Sequence, residues 1–211
     1  AGNVYLASYF TTSQERALFI ESQKFPFLIA SYQSDAPWQG RDFAGVTTPV
    51  KELASGAAGI GSVNVFPELD GYIRRMPLVI EFGGKPYLSL WGMVANSLLN
   101  PAGPPPQVRL GESVKMGEKS LPIDGAGETW ISYTSAKDGG PPFPRYYYHD
   151  ALSHTIPADA LKDKVILVGF GAAGMADIHP TPLNPGSLGV DINAYALNGL
   201  LQQSFLRPAP W

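Results

Sequence analysis

Three glycines carry the strongest chemical motif in the sequence, a literal G-x-G-x-x-G that directly follows the apolar run 165–168. They are Gly169, Gly171 and Gly174. Such glycines bind a dinucleotide when a helix follows, because amide groups and the helix dipole then meet the pyrophosphate. Here Pro180 and Pro182 follow within eight residues of the last glycine, and proline interrupts a helix. Asp191, about twenty positions on, belongs to a helical pattern rather than to a strand end. We therefore favour a buried strand that ends in a tight glycine turn, and we predict no cofactor.

Two adjacent arginines, Arg74 and Arg75, follow a turn signal at Asp70 and Gly71. Neighbouring side chains on a strand point to opposite faces, so one arginine faces inward or toward the end of the sheet. A half-buried guanidinium needs a carboxylate or an anionic ligand, and Asp70 and Asp177 are the candidate partners. We interpret Asp70, Gly71 and Arg75 as structural residues, while an anion site at Arg74 stays open as the alternative.

Asp177 and Thr181 lie in a proline-rich turn, where both side-chain types commonly bond backbone amides. The first interpretation is therefore a structural clamp. The alternative is a pocket at the strand end near Gly169, because open α/β sheets bind ligands at such edges. If the chain binds a small molecule, the predicted ligand residues are Arg74, Gly169, Gly171, Gly174, Asp177 and Thr181.

Other catalytic patterns are weak. The Gly-Ser pairs that start at Gly61 and Gly186 lack the full G-x-S-x-G of a hydrolase elbow. His149 and His154 are five positions apart, which does not place them on one helical face, and His179 stands alone. We predict no catalytic residues and no metal site. A hydrolase or nucleotide-binding protein built on the glycine turn remains the alternative function.

Composition excludes several classes of protein. The 211 residues carry 15 basic and 18 acidic side chains, and no basic cluster exceeds two residues, so we predict no nucleic-acid partner. Cysteine is absent, which excludes disulfides and thiol chemistry. No apolar run reaches the length of a membrane span. With 23 glycines and 20 prolines, the sequence indicates one folded, turn-rich domain over residues 1–211.

The predicted fold class is α/β (α+β), with a central mixed β-sheet flanked by helices and an antiparallel, hairpin-rich region in the middle of the chain. Apolar and turn patterns predict strands at 3–10, 25–32, from 60 onward, 73–82 and 165–168. They predict helices at 12–23, 49–59, 89–99, from 146, and in the last apolar segment.

The last helix has the clearest amphipathic pattern. Its predicted buried face repeats at helical spacing and consists of Val190, Ala194, Leu197 and Leu201. Its predicted solvent face has the same spacing and consists of Asp191, Tyr195, Asn198 and Gln202.

Taken in order, these segments resemble a known family. They are GSVNVFPELDGYIRRMPLVI, PYLSLWGMVA, LPIDGAGETWISY, LKDKVILVGFGAAGMADIHPTP, GVDINAYALNGLL and FLRP. The sequence from Gly59 to Pro208 resembles the CHASE domain of the second type. The family often has Asp where this chain has Glu68, and His where it has Asn193, which we interpret as structural. The family's N-terminal portion and its flanking membrane helices are missing before Ala1 and after the exit at 205–211, so we expect a sensor excised between two spans.

The resemblance implies a function without catalysis. Members of the family are extracytoplasmic sensory modules of bacterial membrane receptors, and pass a signal to a cytoplasmic output such as a nucleotide cyclase, a histidine kinase or a Ser/Thr kinase. The implied partners are an unknown small-molecule ligand and, through the parent receptor, a second copy of the chain. The physical mechanism would be a population shift, since a ligand that binds two arrangements unequally changes their balance.

Overall fold

The computed structural model describes residues 3–12, 31–34, 37–135, 142–171 and 177–206, and the structural statements below concern these residues. The strands are β1 Tyr5–Thr11, β2 Ser31–Gln33, β3 Gly45–Thr47, β4 Gly59–Ser62, β5 Arg75–Pro77, β6 Val79–Phe82, β7 Lys85–Leu88, β8 Gln107–Arg109, β9 Ser113–Met116, β10 Lys119–Pro122, β11 Glu128–Trp130, β12 Ile178–His179 and β13 Ser187–Leu188. The helices are α1 Lys51–Ala54, α2 Leu90–Leu99, α3 Tyr148–Leu152, α4 Ala158–Leu161 and α5 Gly189–Leu201.

The strands form several small sheets, both mixed and antiparallel, which confirms the predicted α+β class. One mixed sheet has the order β3-β1-β4, with β1 parallel to β4 and antiparallel to β3. A second has the order β10-β9-β8-β2, with β2 parallel to β8. The pairs β11-β5, β6-β7 and β12-β13 are antiparallel.

Glycine turns produce the hairpins in the middle of the chain. Gly83 and Gly84 connect β6 to β7 with φ of +60° and +71°, a conformation that only glycine adopts without strain. Further on, β8, β9 and β10 form the predicted antiparallel ribbon, and Gly111 and Gly117 lie in its turns with φ of +78° and +58°.

The core lies where α2 packs against β4 and α5. The Ser89 hydroxyl begins α2 by accepting a hydrogen bond from the Gly92 amide at 3.1 Å, as an N-cap residue does. Trp91 is 2% exposed and Ile192, on α5, is fully buried. None of the helices in the described ranges has the length and apolar character that crossing a membrane requires.

The predicted buried strand at 165–168 is wrong. Residues 165–171 form no strand, and Val165, Ile166, Val168 and Phe170 are 43%, 54%, 76% and 70% exposed. An apolar run becomes a strand only where a neighbouring strand offers backbone partners, and no described strand pairs with this segment. The segment runs instead beside the start of α5.

The predicted faces of the last helix are partly wrong, because Leu197 is buried and Gln202 is exposed as predicted, but the buried side is turned relative to the predicted one. The buried side of α5 is centred on Ile192, Ala196 and Leu200, which repeat at the same four-residue spacing as the predicted set. Tyr195, predicted to face solvent, is 9% exposed, and its ring packs 5.0 Å from Tyr133. A tyrosine ring is largely apolar, so its hydroxyl alone does not place it in water.

Other predicted elements differ in extent. The strand predicted at 73–82 is divided into β5 and β6 at Leu78, because the amides of Leu78 and Val79 both donate to the Gly127 carbonyl instead of continuing one ladder. The helix predicted at 49–59 shortens to α1. The helix predicted at 12–23 and most of the strand at 25–32 lie outside the described residues.

Candidate functional site

The β5–β11 ribbon separates charged from apolar side chains. The two strands pair antiparallel with Glu128 opposite Pro77 and Trp130 opposite Arg75. Because strand side chains alternate, these four residues share one face of the ribbon. The intervening Met76 is fully buried in the core on the other face. A strongly polar surface is thus built directly on a rigid, core-anchored element.

A cavity of about 400 Å³ lies over this charged face. Its remaining walls come from the loop at 38–43, the segment 66–68, Ile80 of β6, and the turn that precedes β11. Its volume falls within the range of small-molecule sites, which are roughly 300–1,000 Å³. The cavity combines three aromatic side chains with five charged ones, namely Trp38, Phe43, Phe66, Arg41, Glu68, Arg75, Asp124 and Glu128.

Arg75 is the electrostatic centre of the cavity. Its guanidinium lies 3.2 Å from a Glu68 carboxylate oxygen, 3.0 Å from one of Asp124 and 3.5 Å from one of Glu128. Burial opposes the charge on Arg75, but the hydrogen bond to Glu68 and the charges of Glu128 and Asp124 outweigh burial and raise its pKa. Arg75 is therefore a fixed cation inside a ring of three carboxylates.

Glu128 is the least neutralised of these carboxylates. Its side chain is 16% exposed, and in the described part of the chain the 3.5 Å contact with Arg75 is its closest charge contact. Burial raises the pKa of Glu128, against the lowering effect of Arg75. A buried carboxylate held at such a distance from its counter-charge retains capacity for a further cation or hydrogen-bond donor.

The turn before β11 fixes the position of Glu128. One Asp124 oxygen accepts hydrogen bonds from the amides of Ala126 and Glu128, both at 2.9 Å. Gly127 adopts φ of +73°, and a Cβ there would lie 2.5 Å from the Val79 carbonyl oxygen and 3.0 Å from the Trp38 ring. The turn therefore requires glycine and seats Trp38 against the backbone.

Aromatic rings form the opposite wall. The rings of Phe43 and Phe66 lie 6.0 Å apart, and Phe43 continues into the core through Phe10, at 5.6 Å. The Arg41 guanidinium covers the Phe66 ring at 4.5 Å from its centroid, while the residue as a whole is exposed. The aromatic wall is thus anchored on the core side and capped by a cation on the solvent side.

Arg74 lies outside the cavity. It makes two hydrogen bonds to Asp70, at 2.7 and 3.0 Å, and one to Glu68 at 2.8 Å. The hydrogen bond from Arg74, the largest effect, lowers the pKa of Asp70. Gly71 supplies the turn between them, with φ of +83°. Of the two partners considered, Asp70 contacts the arginine, whereas Asp177 pairs with His179 at 2.8 Å.

The structure brings part of the predicted glycine-turn site together at the start of α5, away from the cavity lining. A Cβ at Gly169 would lie 2.6 Å from the Val190 side chain, and one at Gly171 would lie 3.3 Å from Leu188. The Asp177 carboxylate lies against Gly189, whose amide donates to the Asp177 carbonyl at 2.9 Å. Gly174 lies outside the described residues. The ligand roles of these residues stay predictions.

Thr181 and Asn193 are both buried and hydrogen-bonded. The Thr181 hydroxyl contacts the Ser187 hydroxyl at 2.8 Å and donates to the Asn184 carbonyl at 3.1 Å. The Asn193 amide group donates to the Gly189 carbonyl at 2.9 Å. These bonds close the turn between β12 and β13 and fasten the first turn of α5.

Sequence reasoning singled out Arg75 as a structural residue but missed other residues that line the cavity. Trp38, Asp124 and Glu128 were not among the predicted site residues. The available signal was the segment DGAGE at 124–128, in which two acidic residues flank a tight glycine-rich turn immediately before a strand. Trp38 lies in a segment predicted only as a loop, and nothing in its local sequence indicates the ring's position.

The described residues include neither a buried histidine–serine pair nor a cluster of metal-binding side chains. His149 contacts Ser153 at 3.4 Å on α3, and both residues are exposed. No group of three or more histidine, cysteine, aspartate or glutamate side chains suitable for a metal ion occurs among the described residues. What the cavity offers chemically is binding through charge and aromatic surface.

Comparison with known proteins gives one match. The sequence model of a protein family described as the CHASE2 domain matches residues 5–211. No curated protein and no solved structure matches the chain.

Proposed function

Because the chain belongs to the CHASE2 domain family, a family of extracytoplasmic sensory domains, we propose that it is the signal-input domain of a membrane receptor. The family match over residues 5–211 is the observation that carries this proposal, and it confirms the resemblance found in the motifs. The family is sensory rather than catalytic. In the proposed receptor, the parent chain spans the membrane and this domain detects a stimulus on the outer side.

The β5–β11 cavity is the proposed input site. Its floor consists of strands whose opposite faces are buried in the core, so a ligand there acts on the core rather than on a surface loop. Thr129 directly follows the cavity residue Glu128 on β11, and it faces the same small interior space as Trp91 of α2 and Leu200 of α5. A ligand that favours one arrangement of β11 thereby biases the helices behind it.

The proposed output is a cytoplasmic enzyme, a nucleotide cyclase or a protein kinase, in the same receptor. A ligand changes such an output only as far as its affinities for the two receptor arrangements differ. The receptor is proposed to act as a homodimer, since paired copies can turn a change in each domain into a change in their relative position.

Filling the cavity tests the proposal in the full-length receptor. Ala126 lines the cavity and is half-buried, so Ala126→Phe places a ring inside it. We expect this variant to shift the basal output activity in membranes severalfold, because an occupied cavity mimics one signalling state. Ala151→Phe, on the exposed surface of α3, is the matched control and should leave the output unchanged. Equal outputs from both variants and the wild type, at equal receptor amounts, would contradict the proposal.

A further inference from the structure

We propose that the β5–β11 cavity binds a small organic cation, an ammonium group carried on an apolar or aromatic body. This inference deepens the proposed function, on which it rests, by naming the chemical class of the ligand. It is carried by the placement of Glu128 and the aromatic rings around one cavity of about 400 Å³.

The charges lining the cavity leave a surplus of carboxylate. Three carboxylates surround Arg75, which is shared among all of them, and Glu68 divides its interaction between Arg75 and Arg74. Asp124 is occupied by backbone amides. The Glu128 carboxylate remains, with a 3.5 Å contact to Arg75 and no side-chain hydrogen bond to a described residue. An ammonium group beside Glu128 would gain an ion pair at a site already largely removed from water.

The aromatic wall suits the rest of such a ligand. Trp38, Phe43 and Phe66 line the same cavity as the charged residues. Aromatic faces attract cations, and recognition of ammonium ligands commonly uses this geometry. The Arg41 guanidinium lies 4.5 Å from the centroid of the Phe66 ring, which shows that a ring of this wall can hold a cation.

An anionic ligand fits the same residues poorly. The Arg75 guanidinium is committed to three carboxylates, and an anion would have to displace at least one of them. Arg41 is exposed and stacked on Phe66 at the edge of the cavity. An anion beside Glu128 would also be repelled, because like charges at close range repel.

The test compares ligands that differ only in charge. The probes are 2-phenylethylammonium, its neutral counterpart 2-phenylethanol and the anion phenylacetate, with choline as a second cation of different shape. Ligand-observed NMR titration of the 211-residue chain gives each dissociation constant. We expect both cations to bind at least about tenfold more tightly than the alcohol and the anion. Tighter binding of phenylacetate, or no binding of either cation, overturns the inference.

Substitutions place the binding in the cavity. Glu128→Gln removes the charge and keeps the shape, and should weaken cation binding at least about fivefold. Glu112→Gln removes an exposed carboxylate paired with Arg109 outside the cavity, and should change nothing. If Glu128→Gln fails to fold by circular dichroism, Phe66→Leu decides, because it keeps the apolar volume and removes the aromatic face. Unchanged cation binding in a folded Glu128→Gln, or in Phe66→Leu where that variant decides, contradicts the inference.

The two proposals fail in different ways. If the cations do not bind but Ala126→Phe alters the receptor output, the ligand class is wrong and the sensor function stands. If the cations bind at Glu128 but filling the cavity leaves the output unchanged, the cavity is a binding site that does not control the receptor.

Discussion

Gly127 holds the turn that positions Glu128, and Gly127→Ala is therefore the most informative single change in the domain. At φ of +73°, an alanine is strained, and its Cβ would lie 2.5 Å from the Val79 carbonyl oxygen. Gly84 has nearly the same φ, +71°, but a Cβ there has nothing within 4 Å. The two positions thus share the backbone strain and differ in the contact.

The expected free-energy changes separate the cost of backbone strain from the cost of the close contact. A left-handed conformation costs an alanine roughly 1–2 kcal/mol, offset by about 0.4–1 kcal/mol from the reduced freedom of the unfolded chain. Gly84→Ala should therefore lower the free energy of unfolding by about 1 kcal/mol. Gly127→Ala carries the same terms plus about 1–3 kcal/mol of overpacking, since the backbone of Val79 has to move.

Urea unfolding followed by circular dichroism measures both free energies under one set of conditions. We expect Gly127→Ala to be the less stable of the two by about 1–3 kcal/mol. The folded Gly127→Ala variant should also bind 2-phenylethylammonium more weakly, because Glu128 and Trp38 shift with the turn. Equal stabilities would refute the reasoning, since they would mean that the turn does not press against β6.

Three further outcomes test the surroundings of the cavity. Arg75→Ala should lower the free energy of unfolding by about 1–2 kcal/mol, because Asp124 and Glu128 lose the guanidinium that they contact, whereas Arg109→Ala, at an exposed pair, should cost under about 1 kcal/mol. Equal losses would contradict the role of Arg75 as a half-buried, shared cation. The pKa of Glu128 is raised in the folded state, so protonation of its carboxyl stabilises the fold most below the unfolded pKa of about 4.3. This contribution is lost as pH rises through the folded pKa, and urea unfolding against pH should show the loss in the wild type and not in Glu128→Gln. Asn64→Ala should lower the free energy of unfolding by about 3 kcal/mol in the same urea assay, because the buried Asn64 amide makes two 2.8 Å hydrogen bonds with the backbone of Phe10. A loss below about 1 kcal/mol would mean that water takes the place of the side chain and would contradict this reasoning.

Local signals predicted the elements whose causes are local. The Gly83–Gly84 hairpin, the ribbon from β8 to β10 and helix α2 each follow from turn glycines, alternation or apolar spacing within the element or a few positions from it. Each of these patterns contains its own start and stop, so no distant contact is needed to interpret it.

Non-local features were not predictable in the same way. The apolar run at 165–168 has the composition of a buried strand, yet strand formation depends on a free partner edge that sequence alone does not reveal. Two apolar stripes on α5 fit helical spacing equally well, and packing against α2 selects the one with Ile192 and Leu200. The sequence pattern predicts the spacing of the buried residues, but the element that packs against the helix determines which side of the helix is buried.

The candidate site shows the same limit. Arg74 and Arg75 were recognisable as a charged pair, and strand alternation indicated that they separate. The cavity, however, gathers Trp38, Arg75 and Glu128, which are separated by 37 and 53 positions along the chain. Their association depends on how β5 pairs with β11, and this pairing has no signature in either strand alone.

Site-specific labelling tests the central claim most directly, that the cavity opens to the outside of the cell. The chain has no cysteine, so Ala126→Cys in the full-length receptor places a single thiol of this domain inside the cavity, and Ala151→Cys places one on its surface. A membrane-impermeant maleimide applied to intact cells should label both variants beyond the wild-type background. Labelling of both only after lysis would contradict the extracytoplasmic location, and labelling of Ala151→Cys alone would contradict an accessible cavity.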